Sequence, residues 1–193
     1  MNGRIVGVLL AAGRGERFGG GKLVAPLRAG PNAGAAVGVA ACRSLRAAVD
    51  EVVAVVRPGD RSVAASLSRE GARVVVAPRA DDGMGASLAA GIAAAGGADG
   101  FIVALADMPW VAPATIRLVV EALRGGASIA APRYQGKRGH PVGFGAAHRA
   151  ELVALTGDHG ARAIVDAHTE VLQLVDVDDV GTLADVDVPA DLG

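Results

Sequence analysis

A glycine-rich loop with two cationic side chains follows the first apolar run of the chain. The loop runs from Leu10 to Lys22 and reads LAAGRGERFGGGK. Glycines let backbone N–H groups approach phosphate oxygens closely, and Arg17 and Lys22 add positive charge. The loop therefore predicts a cradle for a phosphorylated ligand, formed by the backbone amides around Ala12–Gly15 and by these two side chains.

Two common phosphate-binding motifs do not fit this loop. A Walker A loop needs a glycine where Glu16 stands, and a Ser or Thr where Leu23 follows the lysine. A dinucleotide-binding fingerprint needs a third glycine where Phe18 stands. The loop thus predicts phosphate binding without the geometry of either motif.

An aspartate follows the most apolar strand candidate of the chain. Asp107 comes directly after Phe101–Leu105 and Ala106, and Met108-Pro109 then turns the chain away. Ligands of open α/β sheets bind beyond the carboxyl ends of the strands, and Mg²⁺ is often held there by one or two carboxylates and substrate phosphates. Asp107 is therefore a candidate metal ligand, with an ordinary helix cap as the alternative.

Two further acidic side chains stand near the end of the sequence. Asp185 and Asp187 are spaced by two, which places both on one face of an extended segment. We take Asp187 as the first candidate for a second metal ligand, with Asp185 behind it. The acidic run of Asp176, Asp178 and Asp179 just upstream predicts a solvated loop instead.

A basic, glycine-containing segment, Pro132–Pro141, follows the fifth strand candidate. Lys137, Arg138 and the His140 imidazole suit an anionic, phosphorylated acceptor, and the alternative is an exposed basic hairpin. Further on, the stretch from Gly157 to Arg162 predicts a helix start at which Asp158 is the N-cap, and a helix N-terminus also favours anions. The remaining histidines, His148, His159 and His168, lack a regular metal-ligand spacing and predict surface or capping roles.

Short apolar runs alternate with alanine-rich helical stretches along the whole chain. The predicted strands are Ile5–Leu10, Glu51–Val56, Arg73–Ala77, Phe101–Leu105, Ser128–Ala131 and Val171–Val175. The predicted helices are Ala33–Ala48, Ser62–Glu70, Ala86–Ala95, Pro113–Leu123, Ala146–Leu155 and Ala161–Ala167. Strands without polar alternation are covered on both faces. The pattern predicts one domain over 1–193, a doubly wound α/β fold with a mostly parallel sheet and helices on both faces.

Composition narrows the class of protein. The chain has 193 residues and a formal net charge of −1, which argues against a protein that binds bulk nucleic acid or an anionic membrane. Cys42 is the single cysteine, so no intrachain disulfide can form. The apolar run Ile5–Ala12 is short and leads into charged residues, which favours a buried strand over an export signal, and no run reaches the length of a membrane span. We therefore expect a cytoplasmic protein.

Six sequence blocks in order resemble the MobA-like nucleotidyltransferases, and within that family the chain is most similar to the molybdenum cofactor cytidylyltransferases. The blocks are Leu10–Lys22, Gly83–Leu88, Leu105–Pro109, Gly139–Val142, Gly157–Arg162 and Asp185–Leu192. The resemblance covers nearly the whole chain and implies a Rossmann-like nucleotidyltransferase fold. It further implies transfer of CMP from CTP to molybdopterin, with pyrophosphate released and Mg²⁺ or Mn²⁺ as cofactor.

The resemblance also assigns roles to residues of the matched blocks. It implies that the catalytic residues are Arg17, Lys22 and Asp107 and that the metal ligands are Asp107, Asp187 and Asp185. The residues it implies for nucleotide binding are Leu10, Ala11, Ala12, Gly13, Arg14, Gly15, Lys22, Gly83 and Ser87. Those it implies for acceptor binding are Lys137, Arg138, His140, Asp158 and Arg162.

Other activities stay open on the sequence alone. One is nucleotidyl transfer to a sugar phosphate, a polyol phosphate or another cofactor precursor, with GTP as a further nucleotide. Another is a non-catalytic, nucleotide-binding chaperone of a molybdoenzyme. If the chain is a transferase, a molybdoenzyme that receives its product is a further partner. The base preference depends on Ala12, whose methyl group stands where the guanylyl branch of the family has a glycine and would crowd a purine.

Overall fold

The computed structural model describes residues 3–158 and 160–193. His159, for which the sequence predicts a surface or capping role, lies outside the described residues. The strands are β1 (Ile5–Ala11), β2 (Glu51–Val56), β3 (Arg73–Val76), β4 (Gly100–Leu105), β5 (Ile129–Tyr134), β6 (Lys137–Arg138), β7 (Val142–Gly145) and β8 (Leu172–Asp176). The helices are α1 (Val37–Arg46), α2 (Arg61–Arg69), α3 (Met84–Ala95), α4 (Pro113–Arg124), α5 (Arg149–Val153) and α6 (Arg162–Ala167).

All eight strands join one sheet with β1 near its centre. The order is β3-β2-β1-β4-β7-β5-β6, and β8 pairs with the other side of β5. β1 lies parallel to both neighbours, with Val6 opposite Glu51 of β2 and Phe101 of β4. Only β6 and β7 among these strands run against the rest. The carboxyl ends of β1, β2, β4 and β5 therefore meet at one edge of the sheet.

Alternate side chains of β1 enter two separate cores. Ile5 and Leu9 pack with α1, α2 and α4 on one face. Val6 and Val8 pack with α3, α5 and α6 on the other. The apolar strand sequences follow from this double coverage, which confirms the predicted doubly wound, Rossmann-like fold with a mostly parallel sheet.

The structure differs from the prediction around β7. Val142–Gly145 was not predicted as a strand because two of its four residues are glycines. Gly143 fills a crowded position, since a Cβ there would lie 2.9 Å from Val119 Cγ1. The single helix predicted over Ala146–Leu155 is a 3₁₀ turn, Ala146–His148, followed by the short α5. The edge strand β3 is also less buried than its apolar sequence predicts.

None of the helices in residues 3–158 and 160–193 has both the length and the apolar character needed to cross a bilayer.

Candidate functional site

The glycine-rich loop leaves β1 at the carboxyl edge of the sheet and folds into two tight turns. The 3₁₀ turns Glu16–Phe18 and Lys22–Val24 are separated by three consecutive glycines with positive φ. Gly21, the last of them, has φ 69° and directly precedes Lys22. A left-handed conformation at this position favours glycine. The turn it permits directs the Lys22 side chain toward β4.

Lys22 bridges two of the predicted metal ligands. Its Nζ lies 2.7 Å from Asp107 Oδ2 and 3.8 Å from Asp187 Oδ1. The Lys22 side chain is only 11% exposed, so this ammonium interacts with the carboxylates with little solvent between them. The structure thus brings three sequence-predicted residues to one point beyond the end of β4.

The backbone of Asp107 fixes the second acidic segment. Val186 N–H donates to the Asp107 carbonyl at 2.9 Å. The carboxylate of Asp191 accepts from the N–H groups of Asp187 at 2.9 Å and Val188 at 2.8 Å. Asp185 and Asp187 therefore flank Asp107, as two side chains spaced by two in an extended segment should.

The carboxylates repel one another, and the effect is visible at Asp185. Partial removal from water, together with the charges of Asp187 and Asp107, raises the pKa of the Asp185 carboxyl above its usual value. A divalent cation would relieve this repulsion, and oxygen-only ligands match the preference of Mg²⁺ and Mn²⁺. The donor type at this edge therefore suits such an ion, although the three carboxylates are not among the described groups whose ligand atoms lie within 4.8 Å of one another.

A cavity of about 450 Å³ opens between the glycine-rich loop and α3. Its lining includes most of the residues predicted to hold the nucleotide, namely Leu10, Ala12, Gly13, Arg14, Lys22, Gly83 and Ser87, together with Asp107. We call it the first cavity. Ala11 and Gly15 are not part of that lining, and Ala11 belongs to the core. Arg17 also lies outside the lining, with a side chain that is 79% exposed and paired with Asp187.

Asp81 holds two arginines at the mouth of the first cavity. Its Oδ1 accepts from Arg14 at 2.9 Å and from Arg57 at 2.7 Å. The hydrogen bond from Arg14 lowers the pKa of Asp81. Sequence reasoning missed Asp81, although a cationic loop beside a phosphate site needs a counter-charge when no phosphate is bound.

The start of α3 packs directly on the segment around Gly157. Gly85 N–H donates to the Gly157 carbonyl at 2.8 Å. A Cβ on Gly85 would lie 2.7 Å from the Thr156 carbonyl oxygen, so any larger residue would push the two segments apart. Close contact explains why the predicted nucleotide block and the predicted acceptor block meet here. Ser87, one helical turn after Gly83, is buried, and its hydroxyl lies 3.5 Å from the Gly83 carbonyl.

A second cavity of about 360 Å³ adjoins the first. Leu10, Met84, Leu105 and Asp158 line both cavities, so the two cavities adjoin at these residues. The second cavity also contains four of the five predicted acceptor residues, which are Arg138, His140, Asp158 and Arg162. Met84 and Leu105 were not singled out in the sequence, because a methionine and a strand leucine read as core residues.

His140 is the buried polar group of the second cavity. Its Nδ1 is fully buried and finds no hydrogen-bond partner among the described residues. Burial, and secondarily the charge of Arg138, lowers the pKa of His140 below its usual value. The backbone N–H of His140 donates to Thr182, and the His140–Pro141 peptide bond is cis. An imidazole in this state can donate or accept a hydrogen bond with a ligand without carrying a charge.

Lys137 lies outside the second cavity, and Asp158 does not cap a helix. Lys137 lies in β6, in a tight hairpin that turns at Gln135 and Gly136, and its side chain is exposed away from the cavity lining. This position matches the exposed basic hairpin that the sequence offered as the alternative, and the acceptor role of Lys137 stays a prediction. Asp158 is not the N-cap of α6, because that helix begins at Arg162 after Ala161, whose methyl group cannot cap it.

The predicted solvated acidic loop is also partly wrong. Asp179 is tied to the start of α4, where its Oδ2 accepts from Ala112 N–H at 2.9 Å and Thr115 Oγ1 at 2.6 Å. Asp176 is exposed and pairs with Arg133. A single acidic run therefore contains both a surface ion pair and a helix-capping residue.

Comparisons with known proteins agree on one family. The sequence model of one protein family, described as the MobA-like NTP transferase domain, matches residues 7–171 of the chain. Nicotine blue oxidoreductase of Paenarthrobacter nicotinovorans is 36% identical over 192 residues, which span 95% of this chain and 92% of that protein.

Solved structures give the same result. Rv0371c from Mycobacterium tuberculosis superposes with a TM-score of 0.84 at 31% identity, covering 99% of this chain and 96% of that one. A second structure of Rv0371c is a complex with manganese. A nucleotidyl transferase from Methanothermobacter thermautotroptrophicus has a TM-score of 0.80 at 28% identity, covering 99% and 94% of the two chains.

Proposed function

The chain belongs to the MobA-like NTP transferase family, and from that premise we propose that it transfers CMP from CTP to a phosphorylated acceptor of the molybdopterin type, with release of pyrophosphate. The observation that carries the proposal is the pair of adjoining cavities. One contains the cationic loop and the carboxylate of Asp107, and the other contains two arginines and a histidine. Because the two cavities share four lining residues, two anionic substrates bound in them would lie next to each other.

The glycine-rich loop and Lys22 hold the triphosphate in this mechanism. Backbone N–H groups around Gly13 take phosphate oxygens, and the Lys22 ammonium balances the charge that develops as pyrophosphate leaves. A phosphate oxygen of the acceptor attacks the α-phosphorus, the bond to the β-phosphate oxygen breaks, and pyrophosphate carries the electron pair away. Positioning and charge stabilisation suffice for such a transfer, so the chain needs no covalent intermediate.

Asp107, Asp187 and Asp185 would hold the divalent cation, Mg²⁺ by our proposal and Mn²⁺ as the alternative. The ion supplies charge neutralisation between the phosphates. Support comes from the three clustered carboxylates and from the manganese complex of Rv0371c. Without a metal ion, the Lys22 ammonium pairs with the Asp107 carboxylate. The metal ion and Lys22 would therefore interact with the same carboxylate.

The second cavity supplies the acceptor contacts. Arg138 and Arg162 suit a phosphate, and uncharged His140 suits a neutral polar edge of a heterocycle. Apolar side chains of Leu88, Val142 and Val165 complete the lining and suit a flat ring system. A phosphorylated pterin combines both features, whereas a sugar phosphate would leave the apolar surface against hydroxyl groups.

Pyrophosphate release tests the proposal. The protein is incubated with Mg²⁺ and each of the four ribonucleoside triphosphates, in the presence of molybdopterin, a sugar phosphate or no acceptor. We expect release with CTP and molybdopterin together. Turnover with a sugar phosphate alone would replace the acceptor, turnover with GTP would replace the nucleotide, and binding without turnover would favour a chaperone that delivers a cofactor to a molybdoenzyme.

Oxidoreduction is a second candidate function, because a relative that is 36% identical over almost the whole chain is named an oxidoreductase. The carboxylate and lysine cluster does not require that chemistry, since hydride transfer needs no divalent cation beside a triphosphate. Consumption of a reduced nicotinamide dinucleotide with a heteroaromatic acceptor, measured without CTP, would favour this candidate. Metal-dependent pyrophosphate release favours the transferase.

A further inference from the structure

A histidine–glutamate–histidine cluster lies at the opposite edge of the sheet from the two cavities. It consists of His148, Glu151 and His168. His148 follows β7, which ends beside the start of β4, and Glu151 lies in α5. His168 ends α6, so the cluster joins three segments that are up to 20 residues apart in the chain.

The three side chains already face one point. Glu151 Oε1 lies 3.1 Å from His148 Nδ1, and Glu151 Oε2 lies 2.9 Å from His168 Nε2. One ligand atom from each residue falls within 4.8 Å of the other two. Ligand atoms about 2.0–2.2 Å from a tetrahedral metal are themselves roughly 3.3–3.6 Å apart. Small side-chain rotations would therefore bring all three to bonding distance.

The outer nitrogen of the His148 imidazole has a partner of the kind that orients metal-binding histidines. His148 Nε2 lies 2.8 Å from Ser128 Oγ, which leaves Nδ1 free of a proton when Nε2 donates. His168 Nδ1 lies 3.8 Å from Glu170 Oε1, which is beyond hydrogen-bond distance, so only His148 has such a partner among the described residues. Metal-bound histidines usually donate their second N–H in this way, which fixes the ring and its tautomer.

One residue of the cluster, His148, is buried and held in place by its neighbours. His148 is only 5% exposed and packs edge-on against Phe144, with ring centroids 6.1 Å apart. The side chains of Glu151 and His168 remain 44% and 31% exposed. One ligand is thus held rigidly in the protein, and the other two leave an open side where water can complete the coordination.

We propose that His148, Glu151 and His168 form a zinc site that is separate from the carboxylate cluster at Asp107. Two imidazoles and one carboxylate suit Zn²⁺, whereas Mg²⁺ prefers oxygen ligands throughout. The site fastens the end of α6 to α5. Since Arg162 and Val165 of α6 line the second cavity, the metal steadies one wall of that cavity from behind.

Zinc titration of the untagged protein tests the proposal. Zn²⁺ binding is measured by competition with a chromophoric chelator, in excess Mg²⁺ so that the oxygen-only cluster is occupied. We expect one Zn²⁺ per chain, and a loss of affinity greater than about 100-fold in Glu151→Gln and in His168→Asn, since removal of an outer-shell partner alone costs about 10–100-fold. Glu121→Gln, an exposed glutamate of α4, is the matched control and should bind like the wild type.

The visible absorption of Co²⁺ bound to the wild-type protein tests the proposal even if a variant fails to fold. Co²⁺ bound to two nitrogens and one carboxylate gives intense visible absorption, which added Zn²⁺ should abolish. Retention of wild-type zinc affinity by either variant would overturn the proposal. So would a wild type that binds no Zn²⁺, or one whose Co²⁺ spectrum is that of the aqueous ion; the cluster would then be a hydrogen-bonded link only.

Discussion

Arg17 donates a hydrogen bond of 2.6 Å to Asp187, although 170 residues separate them in the sequence. The contact joins the glycine-rich loop to the C-terminal acidic segment across the top of the site. Both side chains are largely exposed, so the pair contributes little to the free energy of unfolding. The pair places Asp187 beside the glycine-rich loop, so a bound triphosphate of the proposed reaction would compete with Asp187 for the Arg17 guanidinium.

Lys22→Ala should damage nucleotide use more than Arg17→Ala. Lys22 is nearly buried against Asp107 and lines the first cavity, whereas Arg17 is exposed outside it. A buried charge-assisted contact to phosphate is worth about 1.5–3 kcal/mol, so we expect kcat/KM for the triphosphate to fall about 10–100-fold in Lys22→Ala. Steady-state kinetics with nucleotide and acceptor varied separately measure this. A loss confined to acceptor KM would mean that the two cavities have been assigned the wrong way round.

Asp107→Asn should fold and lose most of its metal-dependent turnover. The substitution keeps the shape of the side chain and the carbonyl bond to Val186, but it removes the central negative charge of the cluster. Apparent affinity for Mg²⁺, taken from pyrophosphate release at increasing Mg²⁺, should weaken strongly. Asp178→Asn, at an exposed position outside both cavities, is the control. Wild-type rates at limiting Mg²⁺ would remove Asp107 from the metal site.

Ala12→Gly should relax the preference for CTP over GTP. Ala12 is 8% exposed and lines the first cavity, so its methyl group limits the space available to a base. Removal of one methyl group changes discrimination by about 1–3 kcal/mol at most, or roughly 10–200-fold. The ratio of kcat/KM for CTP and GTP, at equal Mg²⁺ and with one acceptor, is the quantity to compare. An unchanged ratio would place base selection elsewhere in the cavity.

Gly85→Ala should destabilise the site by separating α3 from the Gly157 segment. The added Cβ would lie 2.7 Å from the Thr156 carbonyl oxygen and 2.9 Å from that of Gly157, and both contacts are with backbone. A cost of about 1–3 kcal/mol in the free energy of unfolding is typical of overpacking. Gly97→Ala, where a Cβ meets nothing within 4 Å, should leave stability unchanged. Equal urea midpoints for the two variants would contradict the close contact.

His140 should make the protein less stable in mild acid. Its pKa in the folded state is lowered, so the unfolded chain takes up the proton first. Stability is therefore full above the unfolded pKa of about 6.5 and declines as the pH falls from there toward the folded value. His140→Gln should lose this part of the pH dependence.

The comparison with His140→Gln isolates one group. The pKa of His168 is raised by Glu151, which gives stability below pH 6.5 and a loss as the pH rises, but this contribution is common to both proteins. The difference in free energy of unfolding between wild type and variant, measured in urea from pH 7.5 to 5 without divalent metal, therefore reports on His140. A difference that does not change with pH would contradict its lowered pKa.

The sequence predicted the half of the site that depends on local pattern. β2 has the predicted bounds. Lys22, Asp107 and Asp187 meet because Lys22 lies in the loop after β1, Asp107 follows β4 and Asp187 lies in an extended segment beside it. The fold class followed from the same alternation of apolar strands and helices. These features depend on the local hydrophobic pattern and on where the strands end, and both can be inferred from short stretches of sequence.

What the sequence left out depends on contacts between distant segments. β7 has glycines because helix α4 crowds it, and glycines look like a loop. His148 and His168 show no metal spacing because they come from different elements. Of the surface or capping role predicted for His148, the surface part is wrong because the ring is buried, whereas the residue does occupy the N-cap position of α5 without a side-chain capping bond. Asp81 and Met84 shape the first cavity only because α3 begins beside the loop after β1.

The central position of β1 has a kinetic consequence. Its pairing with β2 closes a loop of about 45 residues, but its pairing with β4 joins residues about 95 apart, and only the second brings the glycine-rich loop to Asp107. Long-range pairings are slow to form because their loop-closure entropy is lost before any contact compensates it. During refolding, secondary structure should therefore return before the ability to bind a triphosphate, and the appearance of nucleotide binding marks the moment at which the two halves of the sheet have joined.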